Sequence, residues 1–147
     1  MQPHPPLRIT RLASDVPMPT YKTAGAACFD IAAYEDIEIP PHSVAHIRTG
    51  LVFGVPEGYF LLVASRSSTP SKLGLITPHG FGILDHDYCG PEDELKLIVW
   101  NGNTEPVRVR KGDRVSQAFL MPVQQTALEE GPPLGATRGG IGSTGQQ

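Results

Sequence analysis

Turn signals recur so densely between Ile37 and Ala64 that only short extended segments fit between them. Pro40-Pro41, Thr49-Gly50 and Pro56-Glu57-Gly58 divide the run at intervals of about 8–12 residues, the spacing of a β-sandwich or barrel. The pieces they bound carry no helical apolar period, so an all-β domain is the predicted class. Leu7-Arg8-Ile9-Thr10-Arg11-Leu12 alternates apolar with polar and reads as a further strand. Two more, Leu95–Asn101 and Val107–Val109, flank the turn Asn101-Gly102-Asn103. Lys111-Gly112-Asp113-Arg114 reads as a turn into the strand Val115–Leu120, which Gln117 interrupts.

Two segments break this rhythm. Thr23–Ala33 surrounds one acid, Asp30, with small and apolar residues, and both helix and strand fit it. In Ser65–Gly74, Pro70 suits a first helical position, Ser68 or Thr69 can cap it, and Gly74 can end it. Hydroxyls and unpaired N–H groups then stand beside Arg66, where a phosphate would be held, although a plain N-cap explains the same residues.

A chain of 147 residues is sized for one domain with a real core. Its 15 prolines and 16 glycines fit a turn-rich fold, while 39% hydrophobic residues argue against wholesale disorder. The net charge of −3 supplies no basic field for coating nucleic acid, so a polyanionic ligand would need local cations or a metal. Cys28 and Cys89 lack the spacing of a zinc site or disulfide framework. Met1-Gln2-Pro3-His4-Pro5-Pro6 has no signal core and no window approaches a membrane span. These features predict a cytoplasmic protein without nucleic-acid or membrane partners. Residues 1–128 are expected to form the β domain. Residues 129–147, too rich in Gly and Pro to build a core, form an arm that either stays mobile or orders over a ligand. Gly140–Gly145 fits G-x-G-x-x-G, but no strand-turn-helix unit surrounds it.

The stretch Gly80-Phe81-Gly82-Ile83-Leu84-Asp85-His86-Asp87-Tyr88-Cys89-Gly90 concentrates the chemistry. Glycines let a backbone approach a flat ligand closely. On an extended segment Asp85 and Asp87 would share one face, with His86 and Tyr88 on the other. Such a carboxylate can activate water, hold a cation or fix a sugar hydroxyl, and Asp beside Gly is also ordinary turn chemistry.

In order along the chain, these pieces resemble the five motifs of the trimeric dUTPases. Ala24–Asp30 resembles the first motif, Ser65–Ser68 the second, Gly82–Tyr88 the third, Lys111–Gln117 the fourth and Gly139–Gly145 the fifth. The resemblance implies a jelly-roll-like distorted β-barrel, assembled as a homotrimer with shared active sites. It implies Mg²⁺-assisted hydrolysis of dUTP to dUMP and pyrophosphate by water attack on the α-phosphorus. That reaction keeps uracil out of DNA and supplies dUMP for thymidylate synthesis. Asp85 is then the water-activating acid and Gln117 contacts the α-phosphate or the water. Tyr88 packs on deoxyribose, and His79, Gly80, Gly82 and Ile83 border the uracil edge. Arg66, Ser67 and Ser68 hold phosphates, Asp30 holds the metal through water, and Arg138, Ile141 and Ser143 of the arm meet the nucleotide.

The chain departs from the family pattern at several positions. Cys89 stands where Arg is usual, Pro91-Glu92-Asp93 lengthens the next turn, His79 replaces a common Asn, and Ile141 replaces a stacking aromatic. Related chemistry on the same fold, dCTP deamination alone or coupled to pyrophosphate release, and non-catalytic nucleotide sensing are the alternatives.

Overall fold

The computed structural model describes residues 5–137 and 139. Among them, eleven strands and one helix follow in order: β1 Arg8–Arg11, β2 Phe29–Ala32, β3 Ile37–Ile39, β4 Val44–Arg48, β5 Leu51–Gly54, β6 Tyr59–Ser65, α1 Ser68–Leu73, β7 Leu75–Ile76, β8 Gly82–Leu84, β9 Lys96–Asn101, β10 Val107–Val109 and β11 Arg114–Pro122. All pairings are antiparallel, in sheets ordered β2-β11-β6-β8, β4-β9-β7, β1-β5 and β10-β3. This is the jelly-roll-like barrel expected above. Thr23–Ala33 resolves in favour of strand, but only from Phe29 onward, where β-propensity replaces the small residues.

Alternation along the four-stranded sheet sorts its residues by face. Phe29, Ile31, Leu61, Val63, Ser116 and Ala118 are buried on one side, packing into a core with Phe53, Ile39, Ile47 and Leu97. Asp30, Gln117 and Ala64 form one cross-strand row on the other side, and Phe119, Leu62 and Ile83 form the next but one. A register shift between Arg114 and Ser116 leaves Val115 as an extra residue in β11. Without that bulge Arg114 and Gln117, three apart, would face opposite ways; with it both share the face of Asp30.

The helix differs from expectation at its start. Ser67 holds the N-cap position and makes no side-chain cap bond, and Pro70 is the third helical residue. Thr69, expected as a cap, is buried and donates its hydroxyl to Val115 O at 2.9 Å, tying α1 to the bulge. Gly74 ends the helix at φ 63°, and its N–H donates to Pro70 O at 2.9 Å. A Cβ there would collide with the Asn103 side-chain amide, so glycine is required on two counts. No described helix is long and apolar enough to cross a membrane.

Candidate active site

The chemistry-bearing residues fall into two groups. The first surrounds a cavity of about 450 Å³ walled by Val63, Gly82 and Leu84 on one side and by His46, Lys96 and Ile98 on the other. His79, Asp85 and Tyr88 also line it. His79 and Gly80 sit in a turn closed by Gly80 N–H donating to Thr77 O at 3.0 Å, with Gly80 at φ 82°. That turn delivers His79 over β8, where a Cβ on Gly82 would come within 3.8 Å of its Nε2.

Asp85 and Tyr88 come together by a route that alternation does not give. The chain leaves β8 after Leu84 and turns through His86 and Asp87, with Tyr88 N–H donating to Asp85 O at 3.3 Å. A turn places residues three apart side by side, so Asp85 pairs with Tyr88 rather than with Asp87, and Tyr88 is not a partner of His86. Asp85 and Tyr88 line the cavity; His86 and Asp87 are exposed outside it.

The second group lies on the opposite face of the four-stranded sheet. The Asp30 side chain is 11% exposed; Oδ1 accepts from Arg66 Nε at 3.0 Å and Oδ2 from a terminal guanidinium nitrogen of Arg114 at 2.8 Å. Arg66 also donates to Arg114 O at 3.1 Å. Gln117 donates from Nε2 to Ser65 O at 3.2 Å. Ser67 and Ser68 stand next along the chain, where α1 begins. One carboxylate against two guanidiniums leaves net positive charge on a partly dry surface, suited to phosphate. Cys28, two residues from Asp30, is a poor nucleophile, because burial first and the Asp30 charge second push its thiol up.

Neither Asp30, Arg66 nor Gln117 borders the cavity. Arg138, Ile141 and Ser143 lie outside the described residues. Arg114 falls within the fourth motif, and the sequence predicts no role for it. The bulge that brings it to Asp30 leaves no signal in the sequence spacing. Glu94, buried at 8% exposure beside the cavity, gave no sequence signal beyond following the lengthened turn.

The fold and these groups define a class first: an antiparallel jelly-roll domain that presents its acids and arginines from turns and strand edges. The particular family follows from comparison with known proteins. A family model for dUTPase matches residues 14–145, and the chain belongs to the dUTPase family. The deoxyuridine 5'-triphosphate nucleotidohydrolase of Wolinella succinogenes is 36% identical over 143 residues, covering 95% of this chain and 94% of that protein. The crystal structure of dUTPase from Streptococcus mutans shares 28% identity with a TM-score of 0.75, over 81% of this chain and 98% of that one. The dUTPase of Staphylococcus bacteriophage 80alpha with dUPNHPP gives a TM-score of 0.83 at 23% identity, over 95% and 98% of the two chains, a likeness of fold.

Proposed function

We infer that the chain is a dUTP diphosphatase, hydrolysing dUTP to dUMP and pyrophosphate. The observation that carries this reading is the pairing of Asp85 with Tyr88 across one tight turn at a cavity of about 450 Å³, within a chain matched to the family from residue 14 to 145.

Uracil enters the cavity against β8, where His79, Gly80, Gly82 and Ile83 offer backbone donors and acceptors at strand spacing. Tyr88 covers the deoxyribose and leaves no room for a 2′-hydroxyl. Asp85 takes a proton from water as the water oxygen bonds to the α-phosphorus. The bond from that phosphorus to the bridging oxygen breaks, and its electrons leave with pyrophosphate. Arg66, Ser67 and Ser68 hold the phosphates, and Gln117 meets the α-phosphate or the water. Positioning and electrostatics supply the rate, with no covalent intermediate.

Asp30 suits Mg²⁺ only through water. Each of its oxygens already accepts one guanidinium bond, leaving lone pairs for a metal-bound water but none of the open carboxylates that direct ligation needs. No cluster of three or more ligating side chains occurs among the described residues. When bound, Mg²⁺ would spread the triphosphate charge, and Asp30 would hold it through water.

The separation of the two groups supports a homotrimer with shared sites, the cavity of one subunit meeting the arginine cluster of another. An apolar strip supports the same reading. Phe119, Leu62 and Ile83 run across the cluster's face, Ile83 57% exposed, as a surface that a second copy would cover. Residues 129–147 act as the arm over the nucleotide, with Arg138, Ile141 and Ser143 as its substrate contacts. Free Cys28 and Cys89 suit a reducing compartment, the cytoplasm.

Pyrophosphate release measured across deoxy- and ribonucleoside triphosphates, with and without Mg²⁺, tests the reading. Cleavage of dUTP alone, stimulated by Mg²⁺, is the expected result. Ammonia released from dCTP would replace it with a deaminase, and saturable dUTP binding without cleavage would replace it with a sensor.

A further inference from the structure

Tyr88 does not stand alone at the cavity. Its hydroxyl reaches Glu94 O at 3.5 Å, a long contact that acts more as a stop for the ring than as a strong bond. The chain between them folds back on itself. Asp93 Oδ2 accepts from Gly90 N–H at 2.7 Å, and Asp93 N–H donates to Gly90 O at 3.1 Å. Three of the residues in this loop, Pro91-Glu92-Asp93, are among the positions where the chain departs from the family pattern.

Glu94 is pinned from the other side. Its carboxylate accepts Gly50 N–H at 2.7 Å on Oε1 and Arg48 Nε at 3.0 Å on Oε2. Leu95 N–H donates to Leu51 O at 2.9 Å, and Thr49 Oγ1 donates to Leu95 O at 2.6 Å. The carbonyl facing Tyr88 is therefore fixed to the buried turn between β4 and β5, where Thr49, Gly50 and Leu51 are all buried. A carboxylate this dry is costly to keep, and replacing such groups by apolar ones is often neutral or stabilising. A role in fixing a geometry would account for such a group here.

We propose that Glu94, with Asp93, is a positioning residue for sugar selection, holding the loop and carbonyl against which the Tyr88 ring is seated. The inference rests on the reading of Tyr88 as the deoxyribose wall. Asp93 sets the loop's shape, Glu94 anchors its far end, and the ring between them has one position rather than several. A ring free to swing back would admit a ribose hydroxyl and hold deoxyribose less closely.

Steady-state kinetics of the full chain on dUTP and on UTP test this, alongside thermal melts. Asp93→Ala, Glu94→Gln and Tyr88→Phe are each expected to lower the dUTP-to-UTP ratio of kcat/KM about tenfold. For Asp93→Ala and Glu94→Gln the loss should appear as a higher KM for dUTP and a gain on UTP, with kcat for dUTP nearly unchanged. Asp93→Asn keeps the acceptor for Gly90 N–H and should restore the ratio. Combining Glu94→Gln with Tyr88→Phe should lose no more selectivity than either alone, since both act through one contact. Parallel loss on both substrates at constant ratio, or additive losses in the double variant, would overturn the proposal. If Tyr88→Ala retained full selectivity, the sugar-wall reading beneath it would fail instead. Wild-type chain inert toward dUTP would sink the proposed function itself.

Discussion

The arginine cluster and the Asp85 turn are built in opposite ways. In the cluster, side chains hold side chains: Asp30 binds Arg66 and Arg114, and a β-bulge puts Arg114 on the face of Gln117. At the turn, backbone holds backbone, Tyr88 N–H to Asp85 O and Gly80 N–H to Thr77 O, while the Asp85 side chain stands exposed. The difference fits the roles proposed for the two groups. Groups that receive an anion benefit from being aimed before it arrives, so their guanidiniums are tied down. A group that takes a proton from water must keep its lone pairs uncommitted, so only the chain beneath it is fixed.

The shared site proposed above sharpens the contrast, because its two groups would meet between subunits. Asp85→Asn is expected to lower kcat by about 10²–10⁴-fold, the usual contribution of general base catalysis, with dUTP affinity changed only a few-fold by calorimetry. Arg66→Ala should also be nearly inactive, through lost phosphate binding. Co-refolding the two variants should recover about a quarter of wild-type activity, since random mixing in a closed ring brings intact halves together at some interfaces. Recovery near zero would place both groups of one site in a single chain.

A smaller effect separates aiming from chemistry. Asp30→Ala leaves Arg66 and Arg114 facing each other and should cost roughly 1–3 kcal/mol of stability, the penalty of unmaking charged hydrogen bonds in a part-buried place. It should raise KM for dUTP while lowering kcat less than Asp85→Asn does. Asp85→Asn, at an exposed side chain, should leave the thermal midpoint nearly where it was. Equal destabilisation by both changes would erase the distinction between the two regions.

Most of the β framework was legible in the residues, because Pro-Pro and Gly-centred turns fix strand length whatever the strands pack against. Val107–Val109 matches β10 at both ends, and Lys111–Arg114 turns where Gly112 takes φ 89°. Parity failed at Asp85 and Asp87 because the extended conformation stops at Leu84, and no local residue pattern separates a strand from a turn there. The helix start was misplaced because Thr69, a good cap by type, had a tertiary partner in Val115. The Asp30 cluster needed a bulge to assemble, and Glu94 needed β4 and β5 to come near it. Both depend on long-range pairing, which sequence spacing does not encode.

The smallest expected effect concerns how the cluster's supporting turn is held at its outer end. Asp36 accepts Lys111 N–H at 2.9 Å and an Arg108 nitrogen at 2.9 Å, and Asp15 pairs with Lys111 Nζ beside the Tyr34 ring. The Lys111 backbone N–H first, and Arg108 second, hold the Asp36 carboxyl below its ordinary range; the Lys111 side chain does the same for Asp15. A carboxyl with a depressed folded value contributes stability that is present above its unfolded value and lost as pH falls through the folded one. The wild-type thermal midpoint should therefore begin to drop below about pH 4 from this source, the ordinary carboxylate range. Asp36→Asn should flatten part of that slope and shift the neutral-pH midpoint only slightly, since both partners are exposed and screened. Because this anchor precedes Arg114 by only a few residues, KM for dUTP in Asp36→Asn reports whether the turn's position matters to the cluster. An unchanged KM together with an unchanged acid slope would show that the arginine cluster is held by Asp30 and the bulge alone.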